Sequence, residues 1–345
     1  MSKAIACDCG TMFFQVADEE QNLSIIRNAF VEISGVDDIE DILNQNGWQY
    51  VQDGSTYYVI GEDSLRVAQM FDKVKLRRPL QDGVLNKDEN KKMLVLAEMI
   101  DSAIGQAPDD KSVICTCISS PSVDGSIDST YHEARLKSMF TRLGWNVKVI
   151  EEGYAVVLSE CPTMEEADGS ISKFSGLGIS FGAGRINCVL AYKALSVIGM
   201  STTRSGDWLD KQVSEQLGIP ISQVTAKKER GIDLNNINID DDFEFALDAF
   251  YGSMLKYVFS HFSKKFEEVK SDFSAPLEIV IAGGTSMPKG FCNKVTEVIN
   301  SMDLPFELKG VRSASDPQNA VVFGCLAQAM ITRKKLEKQG VTEEI

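Results

Sequence analysis

The sequence is poor in the residues on which many catalytic and metal sites depend. It has only two histidines, His132 and His261, and neither lies in a Cys/His or Ser/His arrangement typical of a nucleophilic site. No apolar run reaches the length of about 18 residues that a membrane-spanning helix needs, so we expect no transmembrane segment. The N-terminus has neither a signal-peptide layout nor an amphipathic leader, and we therefore expect a cytoplasmic protein.

The cysteines and the net charge bear on the kinds of site and the kinds of partner that we expect. The eight cysteines are scattered, which favours reduced thiols over a disulfide framework. Cys7 and Cys9 form one pair at strand spacing and Cys115 and Cys117 another, so a zinc site with four cysteines is an alternative. The net charge of -15 disfavours nucleic acid and anionic membranes as direct partners, since both are polyanions. A nucleotide stays compatible, because backbone N–H groups and Mg²⁺ bind phosphate locally.

The length of 345 residues, 43% of them hydrophobic, is enough for two domains. Residues 4–16 and 177–192 each indicate a strand, a turn that contains glycine and a second strand, so the chain looks like two halves with one plan. The other elements that we expect are a strand over 23–33, a hairpin over 49–61, a long helix over 243–269, a last helix over 319–336 and a frayed tail over 337–345.

The first glycine turn lies at the end of the first predicted strand. Gly10 lets a phosphate approach the backbone, Thr11 adds a hydroxyl donor, and Met12 follows in the same turn. Asp8 is placed to hold Mg²⁺ through water. Judged alone, this turn is also compatible with an ordinary hairpin that binds nothing.

Two further turns repeat this chemistry. The second contains Gly182, Ala183, Gly184 and Arg185, and it lies between two strands, which disfavours a Rossmann phosphate loop because that motif needs a following helix. The third follows an apolar strand and contains Gly283, Gly284, Thr285 and Met287, whose small residues let an adenosine lie against the backbone. For each, a turn without a ligand is the alternative.

Three such turns in this order resemble the superfamily of actin, sugar kinases and heat-shock chaperones, over about residues 3–330. The resemblance implies an α/β, actin-like (duplicated RNase H-like) fold with two domains that flank a nucleotide cleft. We expect the domains at 1–150 and 151–345, with inserted subdomains at about 34–75 and 204–275. The last helix, 319–336, is expected to pack back on the first half.

Other segments match the same superfamily. Residues 150–155 resemble a helix start of bacterial actins, which implies that Glu152 orients the attacking water. Gly206 and Asp207 resemble the segment after the second hairpin, and Lys228 and Glu229 a pair near ribose and adenine. Residues 59–63 and 78–85 are similar to filament-forming bacterial actins of the MamK and MreB type.

The resemblance implies an ATPase that binds ATP or ADP with Mg²⁺, assembles into cytoskeletal filaments of identical copies, and meets adaptor or cargo proteins. Glu152 and Asp8 are the implied catalytic residues. Two alternatives within the fold are a small-molecule kinase, although no sugar-site motif is present, and a scaffold without enzymatic activity.

The second turn departs from the family pattern. Bacterial actins have Asp at the position of Ser180 and usually two threonines at Arg185 and Ile186. Without that carboxylate we expect weaker metal binding and hydrolysis slower by ~10²–10³. Arg185 either pairs with a phosphate oxygen or points to solvent. A protein that binds nucleotide but hydrolyses it very weakly is therefore a further alternative.

Overall fold

The structure is a computed structural model that describes residues 2–70, 74–125, 129–160, 164–165, 171–269 and 276–342. The chain divides into two units. The first comprises Met1–Thr116, Thr130–Lys148 and Gln328–Ile345, and the second comprises Cys117–Ser129 and Val149–Ala327. Neither unit is one continuous segment of the chain.

The described chain contains both strands and helices. The strands are β1 (Ala4–Cys9), β2 (Phe13–Asp18), β3 (Leu23–Arg27), β4 (Phe30–Ser34), β5 (Tyr50–Asp53), β6 (Thr56–Ile60), β7 (Leu80–Gln81), β8 (Val84–Leu85), β9 (Val113–Ile118), β10 (Asn146–Glu151), β11 (Met164–Glu165), β12 (Ile171–Ser172), β13 (Gly176–Phe181), β14 (Ile186–Tyr192), β15 (Leu195–Thr202), β16 (Leu277–Ala282) and β17 (Leu308–Ser313). The α-helices are α1 (Ile39–Gln45), α2 (Glu62–Met70), α3 (Met93–Ile104), α4 (Thr130–Arg142), α5 (Glu152–Glu160), α6 (Gly206–Leu217), α7 (Ile221–Glu229), α8 (Asp242–Phe266), α9 (Phe291–Asn300) and α10 (Ala320–Thr342).

The two large sheets have the same plan. The first has the strand order β3-β2-β1-β9-β10 and the second the order β15-β14-β13-β16-β17. In each, a meander of three antiparallel strands is joined to further strands through a parallel pair, β1 with β9 and β13 with β16. This shared order confirms the predicted repeat, which the sequence shows only as two strand–turn–strand patterns.

The core of the second unit lies between its sheet and its helices. α8 covers the sheet with a stripe that includes Tyr251, Leu255 and Phe262, all buried. This helix begins where the Asp241 side chain accepts hydrogen bonds from the N–H groups of Phe243 and Glu244, at 2.8 and 3.2 Å. Such a cap satisfies two of the backbone donors that a helix start leaves open.

The prediction of one continuous strand over 23–33 is wrong, because the segment forms two strands. β3 belongs to the first large sheet and β4 to a three-stranded sheet of the order β4-β6-β5. The chain changes sheet at Asn28, whose Nδ2 donates to Gly10 O at 2.8 Å and whose backbone N–H donates to Met12 O at 2.9 Å. Apolar residues lie on both sides of Arg27 and Asn28, so the composition of the whole segment indicates a single strand.

The prediction that residues 337–345 are frayed is wrong for residues 337–342, because α10 continues to Thr342. Arg333 holds it within the first unit: the guanidinium forms ion pairs with Glu19 and Glu337 and donates to Ser2 O at 3.1 Å. Glu337, the first of the polar residues that suggested fraying, is therefore part of a charge network. Residues 343–345 lie outside the described residues.

The strand register contradicts the zinc alternative. Cys7 is paired with Thr116 across the parallel strands β1 and β9, so Cys115, one residue earlier, lies on the opposite face of the sheet from Cys7. The two cysteine pairs cannot converge on one ion. No helix in the described part of the chain is long and apolar enough to cross a membrane.

Close packing at Gly324 yields a first prediction. A Cβ on Gly324 of α10 would lie 1.8 Å from Ala155 O of α5, whereas a Cβ on Gly252 of α8 would lie 3.9 Å from its nearest neighbour, Lys294 Cε. We expect Gly324→Ala to lower the free energy of unfolding by about 1–3 kcal/mol, because backbone must shift. Gly252→Ala, the matched control, should change it by no more than about 1 kcal/mol, in the stabilising direction. Urea denaturation measures both, and equal stability of the two variants would contradict this packing.

Candidate nucleotide-binding site

The two predicted phosphate turns are hairpins with the same register. In the first, Asp8 pairs with Gln15, and in the second Ser180 pairs with Asn187. One step further out, each hairpin closes on a loop of four residues, 10–13 and 182–185. Asp8 and Ser180 are therefore equivalent positions on the two hairpins. The strand–turn–strand prediction is confirmed at both.

Each loop starts with a glycine for the same steric reason. A Cβ on Gly10 would lie 2.6 Å from Phe13 O, and a Cβ on Gly182 would lie 2.7 Å from Arg185 O. Real Cβ atoms do not approach a carbonyl oxygen this closely, so both positions require glycine. The tight closure brings consecutive peptide groups to the tip of each loop, as a phosphate site needs.

The first loop forms a hydrogen bond to another hairpin of the same unit. Thr11 is buried, and its Oγ1 accepts a hydrogen bond from the Gly83 N–H at 3.1 Å. Because a hydroxyl both accepts and donates, the Thr11 proton stays available to a phosphate oxygen. Asp8, near the end of β1, and Met12, inside the loop, are both half-buried.

In the second unit, three segments that lie far apart in the sequence meet at the second loop. Gly182 O accepts hydrogen bonds from the Gly206 N–H at 3.2 Å and from Thr285 Oγ1 at 2.9 Å. Ala183 O accepts from the Asp207 N–H at 2.8 Å. The structure thus brings together the predicted residues of the second loop, the start of α6 and the third turn.

These contacts also set the direction of the loop's donors. The C=O of one residue and the N–H of the next point in opposite directions across a trans peptide. Because the carbonyls of Gly182 and Ala183 face α6 and Thr285, the N–H groups of Ala183 and Gly184 face the other way. An oxyanion on that side meets two adjacent donors.

The third turn is shaped by its first glycine. Gly283 has φ +95°, and a Cβ there would lie 2.4 Å from Phe181 O, so no other residue fits. Ser286 Oγ donates to Gly283 O at 2.7 Å and fixes the short 3-10 turn that follows. Gly284 and Met287 are exposed, and a Cβ on Gly284 would meet nothing within 4 Å. This turn therefore presents an open surface of small residues.

Glu152, the predicted catalytic residue, begins α5 and contacts the residue that departs from the family pattern. Its Oε1 accepts from Ser180 Oγ at 2.6 Å and its Oε2 accepts from Asn187 Nδ2 at 2.7 Å. A Cβ on Gly182 would lie 3.8 Å from Oε1, so the carboxylate lies beside the second loop. Our sequence analysis missed Asn187, although it is the one amide side chain in the otherwise apolar strand β14.

Arg185 is buried, so the alternative in which it points to solvent is wrong. Its Nη1 donates to Ser201 Oγ at 3.1 Å, and Ser201 Oγ donates to Ser120 O at 2.7 Å. The Ser120 N–H in turn donates to Asn187 Oδ1 at 3.2 Å. A buried polar network therefore runs from the end of the loop to the amide that contacts Glu152. Contact of Arg185 with a nucleotide stays a prediction.

Lys228 has a structural partner in the described fold. Its Nζ lies 2.5 Å from Asp210 Oδ1 and 3.2 Å from Gly206 O, and Thr225 Oγ1 donates to Asp210 Oδ2 at 2.6 Å. Asp210 is only 1% exposed, so this is a buried ion pair that ties α7 to the start of α6. Glu229 is exposed at the end of α7. Contact of either residue with ribose or adenine stays a prediction.

A second feature that our sequence analysis missed is Asp124. It accepts hydrogen bonds from Tyr257 Oη at 2.7 Å, from the Thr203 N–H at 2.6 Å, and from the hydroxyls of Thr202 and Thr203. Burial alone raises the pKa of the Asp124 carboxyl, but these hydrogen bonds outweigh it and hold the pKa below its usual range. The ionised carboxylate thus anchors the segment after β9 beside β15.

Asp8, the carboxylate on the first hairpin, fits a Mg²⁺ ion that binds together with a nucleotide better than a metal held by protein side chains alone. Among the described residues, no group of three His, Cys, Asp or Glu side chains is placed to hold a metal ion. Mg²⁺ that binds with a nucleotide needs only one or two carboxylates, since phosphate oxygens and water complete its shell. Asp8 carries an oxygen ligand of the right kind.

A comparison with models of protein families matches residues 2–329 to the family described as Volactin. The chain belongs to the Volactin family. The comparison with curated proteins finds no match.

Solved structures identify the fold of this family member. It is similar to the MamK double helical filament, with a TM-score of 0.70 and 18% identity over 96% of this chain and 99% of that one. It is also similar to MreB5 of Spiroplasma citri bound to ADP, with a TM-score of 0.68 and 14% identity over 98% of this chain and 99% of that one. MreB5 bound to AMPPNP matches with a TM-score of 0.64 and 13% identity over 100% and 99%. The chain therefore has the actin-like fold, as predicted, and resembles MamK and MreB.

The buried ion pair gives a prediction about Lys228. We expect Lys228→Met to lower the free energy of unfolding by about 3–5 kcal/mol, because it leaves the Asp210 carboxylate buried without its cation. Lys211→Met is the matched control on α6, where an exposed pair with Glu215 at 3.8 Å should contribute less than about 1 kcal/mol. Thermal and urea unfolding measure both. A Lys228→Met variant as stable as the control would show that the Asp210 contact is not structural.

Proposed function

We propose that this chain binds ATP and forms actin-like filaments whose assembly is controlled by ATP binding and hydrolysis. The observation that carries the proposal is the pair of hairpins with identical register, each with a glycine-led loop of four residues. The similar structures support it, because one is a MamK filament and others are MreB5 bound to ADP and to AMPPNP.

Backbone donors are the proposed phosphate ligands. The N–H groups of Gly10, Thr11 and Met12 in the first unit, and those of Ala183 and Gly184 in the second, would bind phosphate oxygens. This arrangement explains how a chain with a net charge of -15 accommodates a polyanion: the positive ends of peptide dipoles bind locally, without a basic patch.

The adenosine is proposed to lie against the third turn. Gly284 leaves open space there, and Met287 exposes an apolar side chain beside it. Lys228 and Glu229, at the end of α7, are the proposed neighbours of ribose and adenine.

Hydrolysis is proposed to depend on Glu152 and Asp8. Glu152 would orient the attacking water as a general base, from its position beside Gly182. Asp8, at the equivalent end of the first hairpin, would hold Mg²⁺ through water, and the ion would supply charge stabilisation to the phosphates when bound. Weak hydrolysis is the second candidate, because Ser180 adds no charge to the second hairpin.

Sedimentation tests the filament proposal. Purified protein is centrifuged with ATP, with ADP, with AMPPNP and without nucleotide, each with Mg²⁺, and electron microscopy follows the pellets. We expect filaments with ATP and AMPPNP and fewer with ADP, since hydrolysis should weaken the contacts between subunits. Protein that stays in the supernatant under every condition contradicts filament formation.

A matched pair of glycines tests the proposed adenosine surface. A Cβ meets nothing within 4 Å at Gly284, on the third turn, or at Gly310, on β17. We expect neither Gly284→Ala nor Gly310→Ala to alter the melting temperature appreciably. Gly284→Ala alone should weaken ATP binding, by about tenfold, because the added methyl occupies the proposed adenosine surface. Calorimetric titration with ATP measures this, and equal affinities would refute the assignment.

A further inference from the structure

We infer that two surfaces at opposite ends of the second unit bind each other between copies of this chain. The inference rests on the proposed filament function and names the contact that builds the filament. The first surface, the acidic tip, comprises residues 239–245 at the start of α8. The second, the basic edge, comprises Lys173 and residues 192–197, where β14 turns into β15.

The acidic tip combines exposed apolar side chains with exposed acids. Ile239 is 75% exposed, and Phe245, in the first turns of α8, is exposed as well. Asp240 and Asp242 are exposed between them, on either side of Asp241, which caps the helix. A group of exposed apolar side chains with a polar rim is typical of an interaction surface.

The basic edge has the same composition with the opposite charge. Leu195 is 69% exposed and is paired across the hairpin with Tyr192, which is also exposed. Val197 follows as an exposed residue on β15, the edge strand of the second large sheet. Lys193 is exposed at the turn itself. The edge therefore offers an apolar surface beside a cation.

Hydrogen bonds hold the turn of the basic edge and bring a second cation to it. The Lys193 N–H donates to Ser175 Oγ at 2.9 Å, and the Ala194 N–H donates to Phe174 O at 2.8 Å. Lys173, the residue before Phe174, is exposed beside this contact. The two lysines thus belong to one ordered surface.

Glu151 also contacts this edge, but its carboxylate is already bonded within the copy. Ser196 Oγ donates to Glu151 Oε2 at 2.8 Å and Ser120 Oγ donates to Oε1 at 2.7 Å. Against this carboxylate the basic edge presents the exposed ammonium groups of Lys173 and Lys193. The edge therefore complements the exposed acids of the tip.

The basic edge lies at the end of the sheet remote from the second phosphate loop. β14 begins at Ile186, directly after that loop, and ends at Tyr192. Its seven residues place Tyr192 about 20 Å from the loop.

The acidic tip lies beyond the other end of the sheet, because α8 runs along the sheet. Tyr251 Oη donates to Thr285 O at 3.1 Å, so this part of the helix lies at the third turn. Further along α8, Phe266 contacts Phe306, which precedes β17. In the other direction the helix continues past the third turn, and Phe245 lies about 9 Å beyond it.

Opposite ends and opposite charges make the contact head-to-tail. The tip of one copy binds the edge of the next, which leaves one surface of each kind open at the ends of the assembly, so the contact repeats without closing. The apolar side chains supply the buried area, and the charges select this orientation, because tip on tip or edge on edge brings like charges together.

A charge exchange tests the inference. The tip variant carries Asp240→Lys and Asp242→Lys, and the edge variant carries Lys173→Asp and Lys193→Asp. With AMPPNP and Mg²⁺, we expect each variant alone to need at least a tenfold higher concentration to sediment, since its two surfaces now have the same charge. An equal mixture should sediment within about threefold of the unaltered protein, because the altered tip meets the altered edge and the unaltered tip meets the unaltered edge.

The apolar part of the contact has its own test. We expect Phe245→Ser and Leu195→Ser each to raise the concentration needed for sedimentation by about tenfold, because each removes an apolar anchor. Tyr131→Ser is the matched control: Tyr131 lies on α4 of the first unit, and its exposed fraction of 55% is close to the 57% of Phe245. It should change that concentration by less than about twofold. Calorimetric titration should give the same affinity for ATP in all three variants.

The outcomes separate the inference from the function on which it rests. Filaments of the tip or edge variant that form as readily as those of the unaltered protein overturn the inference and leave the filament function standing. Two variants that fail alone and also fail when mixed overturn it too, since the two surfaces then meet different partners. If the unaltered protein does not sediment with any nucleotide, the filament proposal fails. Light scattering of the mixture at low salt, against each variant alone, then still decides whether the two surfaces bind each other.

Discussion

The second unit depends on how closely three backbone segments approach at the Gly182 carbonyl. The Gly206 N–H and the Thr285 hydroxyl both donate to this oxygen, and a Cβ on Gly206 would lie 2.5 Å from Thr285 Oγ1. Side chains larger than hydrogen would separate the loop, the start of α6 and the third turn. This contact sets the direction of the loop's N–H groups. The orientation of the proposed phosphate donors therefore depends first on the absence of a side chain at these glycines.

Much of the fold was predictable, because its signals are local. The glycine turns, the hairpin at Asp53 and Gly54 and the long helix α8 each carry their pattern within a short stretch of sequence. The break at Asn28 was not predictable, since its cause is a contact with Gly10, 18 residues away in the sequence. The continuation of α10 to Thr342 was not predicted for a similar reason, because Arg333 donates to Ser2 O at the other end of the sequence.

The sequence analysis singled out individual residues of the candidate site but missed the hydrogen bonds that join them. Glu152, Ser180 and Arg185 were each singled out, but the hydrogen bond between Glu152 and Ser180 depends on a helix start and a strand that the sequence separates by 28 residues. The burial of Arg185 likewise depends on Ser201 and Ser120, two serines without any motif. Polar networks of this kind are specified by tertiary packing, and their members look ordinary in a sequence.

The change of sheet at Asn28 has a mechanical consequence. This residue is bonded to both Gly10 and Met12, and β4 starts only two residues later, so the first loop and the three-stranded sheet share one short length of backbone. Such a link has too few rotatable bonds to absorb a displacement. A displacement of the loop tip would therefore pull on β4, which lies at the edge of a separate sheet.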